Sequence, residues 1–135
     1  MKQYVIPKNL ELWHSGKVRD TALIPGHPDL LLPVASDRLS THNVVHESLV
    51  PGKGELLTAQ MLFFAHKVFD ASIKTHLVVW GKKIYDYLPE HDYDPRLHYR
   101  ALVVRRVPVT DREFIYRDFL TGSLYKLYRQ GIDPL

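Results

Sequence analysis

The stretch Ala101-Leu-Val-Val-Arg-Arg-Val107 decides the fold, because it is the strongest β-strand signal in the chain. A run of β-branched and apolar residues of this length is typical of a strand. The segment Glu113-Phe-Ile-Tyr-Arg117 has the same character, and only Pro108 to Arg112 separate the two. A gap of that length suits a hairpin, so the two segments are predicted to pair antiparallel.

Further strands are predicted from short apolar runs, and hairpin-length gaps separate several of them. These runs are Thr21 to Ile24, Leu30 to Ala35, Val44-Val45, Leu77 to Trp80 and Ile84 to Leu88. Pro33 predicts an edge position or a bulge for its strand, because proline has no N–H to donate. Strands outnumber helices. The fold class is therefore predicted as α+β, a mainly antiparallel sheet with flanking helices.

One long helix is predicted from about Glu55 to Ala71. Its apolar residues recur at intervals of three and four, which is the pattern of a helix packed on one face. We expect this stripe to be core rather than part of a cofactor site. Its members are Leu57, Met61, Phe64, Ala65, Val68 and Phe69.

The totals favour a single domain of 135 residues in the cytoplasm. The chain has no cysteine, which excludes a disulfide framework and a thiolate zinc site. No apolar run approaches the roughly 18 residues of a membrane span, and Met1 to Tyr4 lacks the apolar core of a signal peptide. The eight histidines form no HExxH pattern, and no GxSxG elbow occurs, so neither a histidine metal site nor a serine hydrolase is expected.

The positive charge of the chain is unevenly distributed. The net charge is +3, yet the segment from Arg96 to Arg129 contains eight basic and only three acidic residues. Such a segment suits either nucleic acid or a small phosphorylated ligand. The arginines lie within strand patterns and do not alternate with exposed aromatics. A small anionic ligand is therefore favoured over a nucleic acid.

A candidate anion site follows the second strand of the predicted hairpin. Thr121-Gly122-Ser123 forms a turn into a helical segment, Leu124 to Gln130, which Gly131 ends. Backbone N–H groups and the positive end of the helix dipole face such a turn, and Arg117 and Ser123 add donors. The alternative is an ordinary strand–turn–helix with Ser123 as the N-cap residue.

Two earlier turns combine glycine with lysine, namely Gly16-Lys17 and Pro51-Gly-Lys-Gly54. Glycine lets backbone N–H groups approach a phosphate, and the lysine supplies charge, although neither turn matches the P-loop pattern. Each could equally be a surface turn. Together with the Ser123 turn they would handle a nucleotide and a second phosphorylated substrate.

Asp37 and Arg38 follow the buried strand that ends at Ala35. Charged residues at the end of a buried strand are candidates for a pair that faces a ligand. The alternative is a surface ion pair of little energetic value.

Taken in order, these segments resemble the SAICAR synthetase family. The matching segments run along most of the chain and lie at matching spacing. They are Gly16-Lys-Val-Arg-Asp20, Ala35-Ser-Asp-Arg-Leu-Ser40, Val50-Pro-Gly-Lys-Gly-Glu-Leu-Leu-Thr58, Thr75-His-Leu77, the strand from Arg100 to Val107, and the stretch from Glu113 to Ser123.

The resemblance implies an ATP-dependent ligase of de novo purine biosynthesis. Such an enzyme joins L-aspartate to carboxyaminoimidazole ribonucleotide and gives SAICAR, ADP and phosphate, with Mg²⁺ on the phosphates. Its fold is related to the ATP-grasp group. The substrate carboxylate becomes an acyl phosphate, so the chemistry asks for positioning and charge neutralisation rather than for a protein nucleophile. A homo-oligomer and a complementing C-terminal chain are the candidate assemblies.

The resemblance also implies roles for individual residues. ATP-binding roles fall on Gly16, Lys17 and Arg19 in the hairpin and on Val104, Arg105 and Val107 in the strand. Ribonucleotide binding falls on Arg117 and Ser123, while Asp37, Ser40 and Lys53 match positions that face the same cleft. No catalytic residue and no metal ligand is assigned in this chain.

The chain departs from the family pattern in two motifs and in length. Ser40-Thr-His-Asn43 stands where Ser-Ala-Phe-Asp is common, and Asp111-Arg-Glu113 stands for Pro-Val-Glu. The family is longer, and its second half carries the acidic residues for magnesium and part of the aspartate site. Residues 1–135 are therefore interpreted as the N-terminal nucleotide-binding part of such a protein. A non-catalytic nucleotide-binding remnant and an RNA-binding domain are the alternatives.

Overall fold

The computed structural model describes residues 6–42, 44–69, 73–89, 94–112 and 118–132. Seven strands and two α-helices occur in these ranges, in an α+β arrangement. The strands are β1 (Leu12–Ser15), β2 (Arg19–Ile24), β3 (His27–Ala35), β4 (Arg38–Thr41), β5 (Val44–Leu49), β6 (Leu77–Trp80) and β7 (Leu102–Arg105). The helices are α1 (Lys53–Phe63), which a π-helical turn (Phe64–Val68) continues, and α2 (Gly122–Arg129). Two 3₁₀ segments, Gly81–Tyr87 and Leu97–Tyr99, lie on either side of the gap at 90–93.

Five strands form one sheet in the order β1-β2-β3-β7-β6, and every neighbouring pair is antiparallel. β4 and β5 form a separate two-stranded ribbon. The antiparallel α+β prediction is thus confirmed. β7 lies within the predicted strand from Ala101 to Val107 and takes an inner position between β3 and β6. The segment predicted to pair with it, Glu113 to Arg117, lies outside the described residues.

β3 is the central strand, so the edge position predicted from Pro33 is wrong. Pairing with β7 occurs at Leu30 and Leu31 and resumes with an isolated bridge at Val34. Pro33 therefore lies where the ladder on that side is interrupted. The missing proline N–H is tolerated there because no ladder bond from β7 requires it.

The sheet is covered on both of its faces, which explains the unbroken apolar run of β3. The larger core contains residues of β2, β3 and β7 together with residues from the first described segment and both 3₁₀ segments: Ile6, Leu10, Ala22, Ile24, Leu30, Leu32, Val34, Ile84, Leu88, Leu97, Ala101 and Val103. On the opposite face Leu31, Leu102 and Val104 pack against Met61 and Leu62 of α1.

The strand predicted for Ile84 to Leu88 is wrong, because Gly81–Tyr87 forms a 3₁₀ helix. Ile84 and Leu88 are both buried. Leu88 lies just beyond the 3₁₀ segment, where the backbone is extended, so the burial of both residues does not require a continuous strand. Gly81 has a φ of 63°, a left-handed conformation that favours a turn after Trp80.

The predicted helix extends only to Val68, and the prediction that its stripe is core is wrong in the second half. Phe64, Val68 and Phe69 are exposed, while Gly54 and Thr58 are the buried residues of α1. The π-helical turn bonds at intervals of five residues, so an i, i+4 stripe does not continue along one face through it. No helix in the described ranges is long and apolar enough to cross a membrane.

Replacing Leu32 with alanine should lower the free energy of unfolding by about 2–5 kcal/mol, because Leu32 is fully buried and the change leaves a cavity. Urea unfolding followed by circular dichroism measures this difference. Leu56→Ala is the matched control, since Leu56 is 70% exposed on α1 and its loss should change stability little. Equal effects of the two changes would contradict the assigned core.

Candidate phosphate-binding site

The turn between β1 and β2 is a tight hairpin that contains Gly16 and Lys17. The Gly16 N–H donates to the Arg19 carbonyl at 2.8 Å. A Cβ at position 16 would lie 3.0 Å from that same carbonyl oxygen, so the turn leaves no comfortable room for a side chain. Lys17 and Arg19 are exposed at its tip. The hairpin thus combines close backbone approach with two cations, which is the chemistry a phosphate requires.

Residues 36–38 fasten this hairpin to the end of β3. The Ser36 N–H and hydroxyl both donate to the Val18 carbonyl, at 3.0 and 2.8 Å. Arg38 Nη2 donates to the Gly16 carbonyl at 3.0 Å and to Asp20 Oδ1 at 2.7 Å. The side chains of Arg38 and Asp20 are only 12% and 5% exposed. Arg38 is therefore committed to the hairpin and does not pair with its neighbour Asp37.

Asp37 is buried as well, so Asp37 and Arg38 form neither a pair with each other nor a surface ion pair. Asp37 Oδ1 accepts from the Gly54 N–H at 2.9 Å and from Arg100 Nη1 at 3.3 Å. Arg100 Nη2 donates in addition to Glu55 Oε1 at 2.9 Å. A carboxylate at the start of α1 satisfies one of the N–H groups that the first helical turn leaves unpaired. Asp37 thus caps the first turn of α1.

The lysine loop before α1 is held by close glycine contacts. A Cβ on Gly54 would lie 2.6 Å from the Ala35 carbonyl oxygen, a distance at which the backbone would have to shift. Gly52 has a φ of 80°, in the left-handed region. Lys53, between the two glycines, donates from Nζ to the Arg38 carbonyl at 2.9 Å. The structure therefore brings Lys53 and the Gly16 hairpin to the same end of β3.

The predicted ATP residues of β7 lie at the other end of the sheet. Arg19 pairs with Ala35, whereas Arg105 pairs with Leu30, five residues earlier along β3. At about 3.3 Å per residue this separates the two ends by about 16 Å. Arg105 and Val107 line a cleft of about 760 Å³. Its other walls are mostly apolar and include Met61, Phe64, Phe69 and Ile73. Val104 itself is buried in the core.

The final motif is only partly described. Arg117 lies outside the described residues, and Ser123 is an exposed residue in the first turn of α2. Ser123 is not the N-cap residue, because that position belongs to Thr121. The helix begins two residues earlier than the sequence pattern indicates, with Gly122 at a φ of 63°.

Ser40, Thr41 and His42, which belong to the first departure from the family pattern, lie at one end of the β4–β5 ribbon. Ser40 is half-buried and pairs with Val45. Thr41 Oγ1 and His46 Nε2 lie 2.5 Å apart across the ribbon, and His42 has a φ of 47°. Asn43 lies outside the described residues. A side-chain hydrogen bond thus connects β4 and β5 beside this turn.

Four residues of this site were missed by local sequence analysis: Asp20, Ser36, Glu55 and Arg100. Each acts through a partner distant in sequence, up to 63 residues away for the Arg100–Asp37 contact. No local periodicity signals such a contact. All four do stand inside the quoted motifs, which is the one signal that could have marked them.

Comparison with known proteins gives matches over the region that contains these motifs. A family model described as SAICAR synthetase matches residues 12–134. The phosphoribosylaminoimidazole-succinocarboxamide synthase of Desulfotalea psychrophila is 40% identical over 123 residues, which cover 90% of this chain and 40% of that protein. The Saccharomyces cerevisiae protein of the same name is 38% identical over 125 residues, covering 88% and 40%.

Comparison with a solved structure shows a similar fold. The structure described as SAICAR-synthase from Saccharomyces cerevisiae complexed SAICAR has a TM-score of 0.74 at 32% identity, covering 92% of this chain and 44% of that one. The chain spans about 40% of the length of the curated relatives that it matches.

Replacing Asp37 with alanine should lower the free energy of unfolding by about 1–3 kcal/mol, because the buried Gly54 N–H would lose its acceptor while Arg100 would keep only Glu55 as its carboxylate partner. Chemical denaturation measures the loss. Asp94→Ala is the control, since Asp94 also binds an arginine but Arg96 is 82% exposed, and surface pairs contribute little. The assigned cap would be contradicted if both variants unfolded at the same denaturant concentration.

Proposed function

The chain belongs to the SAICAR synthetase family, and on that premise we propose that it is the nucleotide-binding part of an ATP-dependent ligase of de novo purine biosynthesis. The reaction joins L-aspartate to carboxyaminoimidazole ribonucleotide and gives SAICAR, ADP and phosphate. One observation carries the proposal. The Gly16 hairpin and Lys53 meet at one end of β3, and an apolar cleft lies at the other end.

The hairpin end is proposed to bind the phosphates of ATP. Lys17 and Arg19 are exposed there. Lys53 lies close by, and its Nζ donates a hydrogen bond to the Arg38 carbonyl. The nearby acids Asp20, Asp37 and Glu55 each contact an arginine, with Arg100 shared by Asp37 and Glu55, so they do not oppose an incoming anion as free carboxylates would. The exposed charge at this end is therefore positive, which favours phosphate.

The cleft end is proposed to bind the adenine. Its apolar walls suit a flat aromatic ring, and the end of β7 offers backbone groups at Arg105 and Val107. The separation of about 16 Å along β3 is close to the length of an extended nucleoside triphosphate. Base and phosphates could thus contact the two ends at once, which a single anion turn would not explain.

The ribonucleotide is proposed to bind at Arg117 and Ser123, with Ser40 and the buried Asp37 supporting the same cleft. The Ser123 hydroxyl is exposed at the first turn of α2, where backbone N–H groups and the helix dipole favour an anion. Arg117 would add a charge-assisted bond. The family match supports these two roles, since both residues stand within its last motif.

Magnesium is proposed as the partner of the ATP phosphates, where it would neutralise charge. The described residues contain no group of three histidine, aspartate or glutamate side chains that could hold a metal ion. No magnesium ligand is therefore assigned to them, and no step is routed through the ion. The chain also spans only about 40% of its relatives, so turnover is proposed to require the section of the family fold beyond the matched residues.

Aspartate-dependent ADP release tests the proposed function. The chain would be assayed alone and with a separately produced polypeptide that covers the unmatched section of the yeast relative. We expect ATP to bind weakly to the chain alone and turnover to need the second polypeptide. If the chain alone formed SAICAR, the proposal that turnover requires a second section of the family fold would be overturned.

Other outcomes of the same assay separate the alternatives. ATP binding without turnover in the reconstituted pair would favour a non-catalytic nucleotide-binding remnant. Salt-sensitive binding to random RNA, without competition by nucleotide, would favour an RNA-binding domain. Absence of ATP binding in both settings would overturn the nucleotide proposal.

Two substitutions should act on different ligands in the reconstituted pair. Lys17→Met should weaken ATP binding about tenfold by removing a charge-assisted bond to phosphate, and it should leave adenosine and ribonucleotide affinity unchanged. Arg117→Ala should do the reverse, weakening the ribonucleotide and sparing ATP. Isothermal titration measures both, with Lys82→Met in the exposed 3₁₀ segment as the control. If either variant lost equal affinity for ATP and for the ribonucleotide, the assignment of the two ligands to different residues would be contradicted.

A further inference from the structure

We propose that Arg38 is a positioning residue that fixes the Gly16 hairpin and Lys53 relative to each other. It reaches the hairpin through its side chain and the lysine through its backbone carbonyl. The identity of the ligand that the hairpin binds depends on the proposed function. That Arg38 sets its position rests on geometry alone.

The side chain of Arg38 crosses from the end of β3 to the hairpin. Its Nη2 contacts the Gly16 carbonyl at 3.0 Å and Asp20 Oδ1 at 2.7 Å, so one nitrogen holds both the turn and the first residues of β2. Asp20 Oδ1 also accepts from the Ser15 hydroxyl at 2.7 Å, on the opposite strand of the hairpin. Arg38 therefore engages both strands of the hairpin, directly or through Asp20.

The backbone of Arg38 organises the second element. Its carbonyl accepts from Lys53 Nζ at 2.9 Å, and the preceding residue, Asp37, accepts from the Gly54 N–H at 2.9 Å. The lysine loop and the hairpin have no strand pairing in common, since the loop leads into α1 and the hairpin lies at the outer side of the sheet. Residues 37 and 38 connect them.

The burial of Arg38 argues for a positioning role rather than for stability alone. Its Nε is buried and has no hydrogen-bond partner among the described residues, so the guanidinium is incompletely satisfied. Buried ion pairs contribute little net stability and can often be replaced by apolar residues without loss of fold. The specific gain from this pair is the fixed location of the Gly16 carbonyl and the turn around it.

Amide hydrogen exchange of the whole chain tests the proposal. In Arg38→Met the Gly16 amide, which bonds to the Arg19 carbonyl, should exchange about tenfold faster, because a hydrogen bond to a charged group is worth at least that factor. The amides of Ala35 and Arg105, bonded to the Arg100 and His76 carbonyls, should keep their wild-type rates. Unchanged exchange at Gly16, or equal acceleration at all three amides, would overturn the proposal.

A second variant distinguishes a local change in the hairpin from general unfolding of the chain. Arg38→Met alone leaves the buried Asp20 carboxylate without its partner, whereas Asp20→Asn with Arg38→Met removes both charges and keeps an oxygen acceptor for Ser15. The double variant should remain folded and still show the fast Gly16 amide. Arg96→Met is the control, because Arg96 makes an aspartate contact of the same 2.7 Å length on the exposed surface. Wild-type Gly16 protection in the double variant would overturn the proposal.

Binding of inorganic tripolyphosphate separates this proposal from the proposed function. We expect the double variant to lose about tenfold in affinity while Arg38→Lys, which keeps the charge, recovers part of it. If the wild-type chain binds no tripolyphosphate, the phosphate role of the hairpin fails and the exchange data alone decide the role of Arg38. A loosened hairpin with unaltered tripolyphosphate affinity would support the positioning role of Arg38 and overturn the phosphate role of the hairpin.

Discussion

The hydrogen bonds of the buried Asp37 carboxylate are the interaction on which the rest of the structure depends. One oxygen accepts from the first turn of α1 and from Arg100, just before β7. Three segments distant in sequence therefore meet at the end of β3. The close approach of Gly54 to the Ala35 carbonyl allows this meeting, because no side chain separates the helix from the strand. A buried carboxylate of this kind needs both a cation and hydrogen-bond donors around it, and Arg100 and the Gly54 N–H supply them.

The same arrangement controls the sign of the exposed charge. Asp20 is bound by Arg38, and Asp37 and Glu55 share Arg100, so each of these acids has an arginine partner. Lys17 and Arg19 stay at the surface. The modest net charge of +3 thus becomes a locally positive end of the sheet. Internal pairing, rather than an excess of basic residues, produces the surface that we propose for phosphate.

The apolar surface beyond α1 fits a chain that matches part of a longer fold. Phe64, Val68 and Phe69 are exposed beside the cleft, and Phe119 and Tyr128 are exposed in the segment that contains α2. Exposed apolar groups of this size are typical of ligand or protein interfaces. They agree with the finding that the chain spans about 40% of the curated relatives. The proposed adenine end is lined by Phe64 and Phe69 of this group.

The sequence by itself determined the strands with strong local patterns, the antiparallel α+β class and the family. It also marked Gly16, Lys53 and Arg105 through their motifs. Tertiary structure decided the rest: the 3₁₀ form of the Ile84 segment and the inner position of β3. It also decided that Asp37 is a helix cap. The reason is physical. Periodicity records which face of an element is apolar, whereas a buried polar contact depends on partners as far as 63 residues away, which only the folded chain brings together.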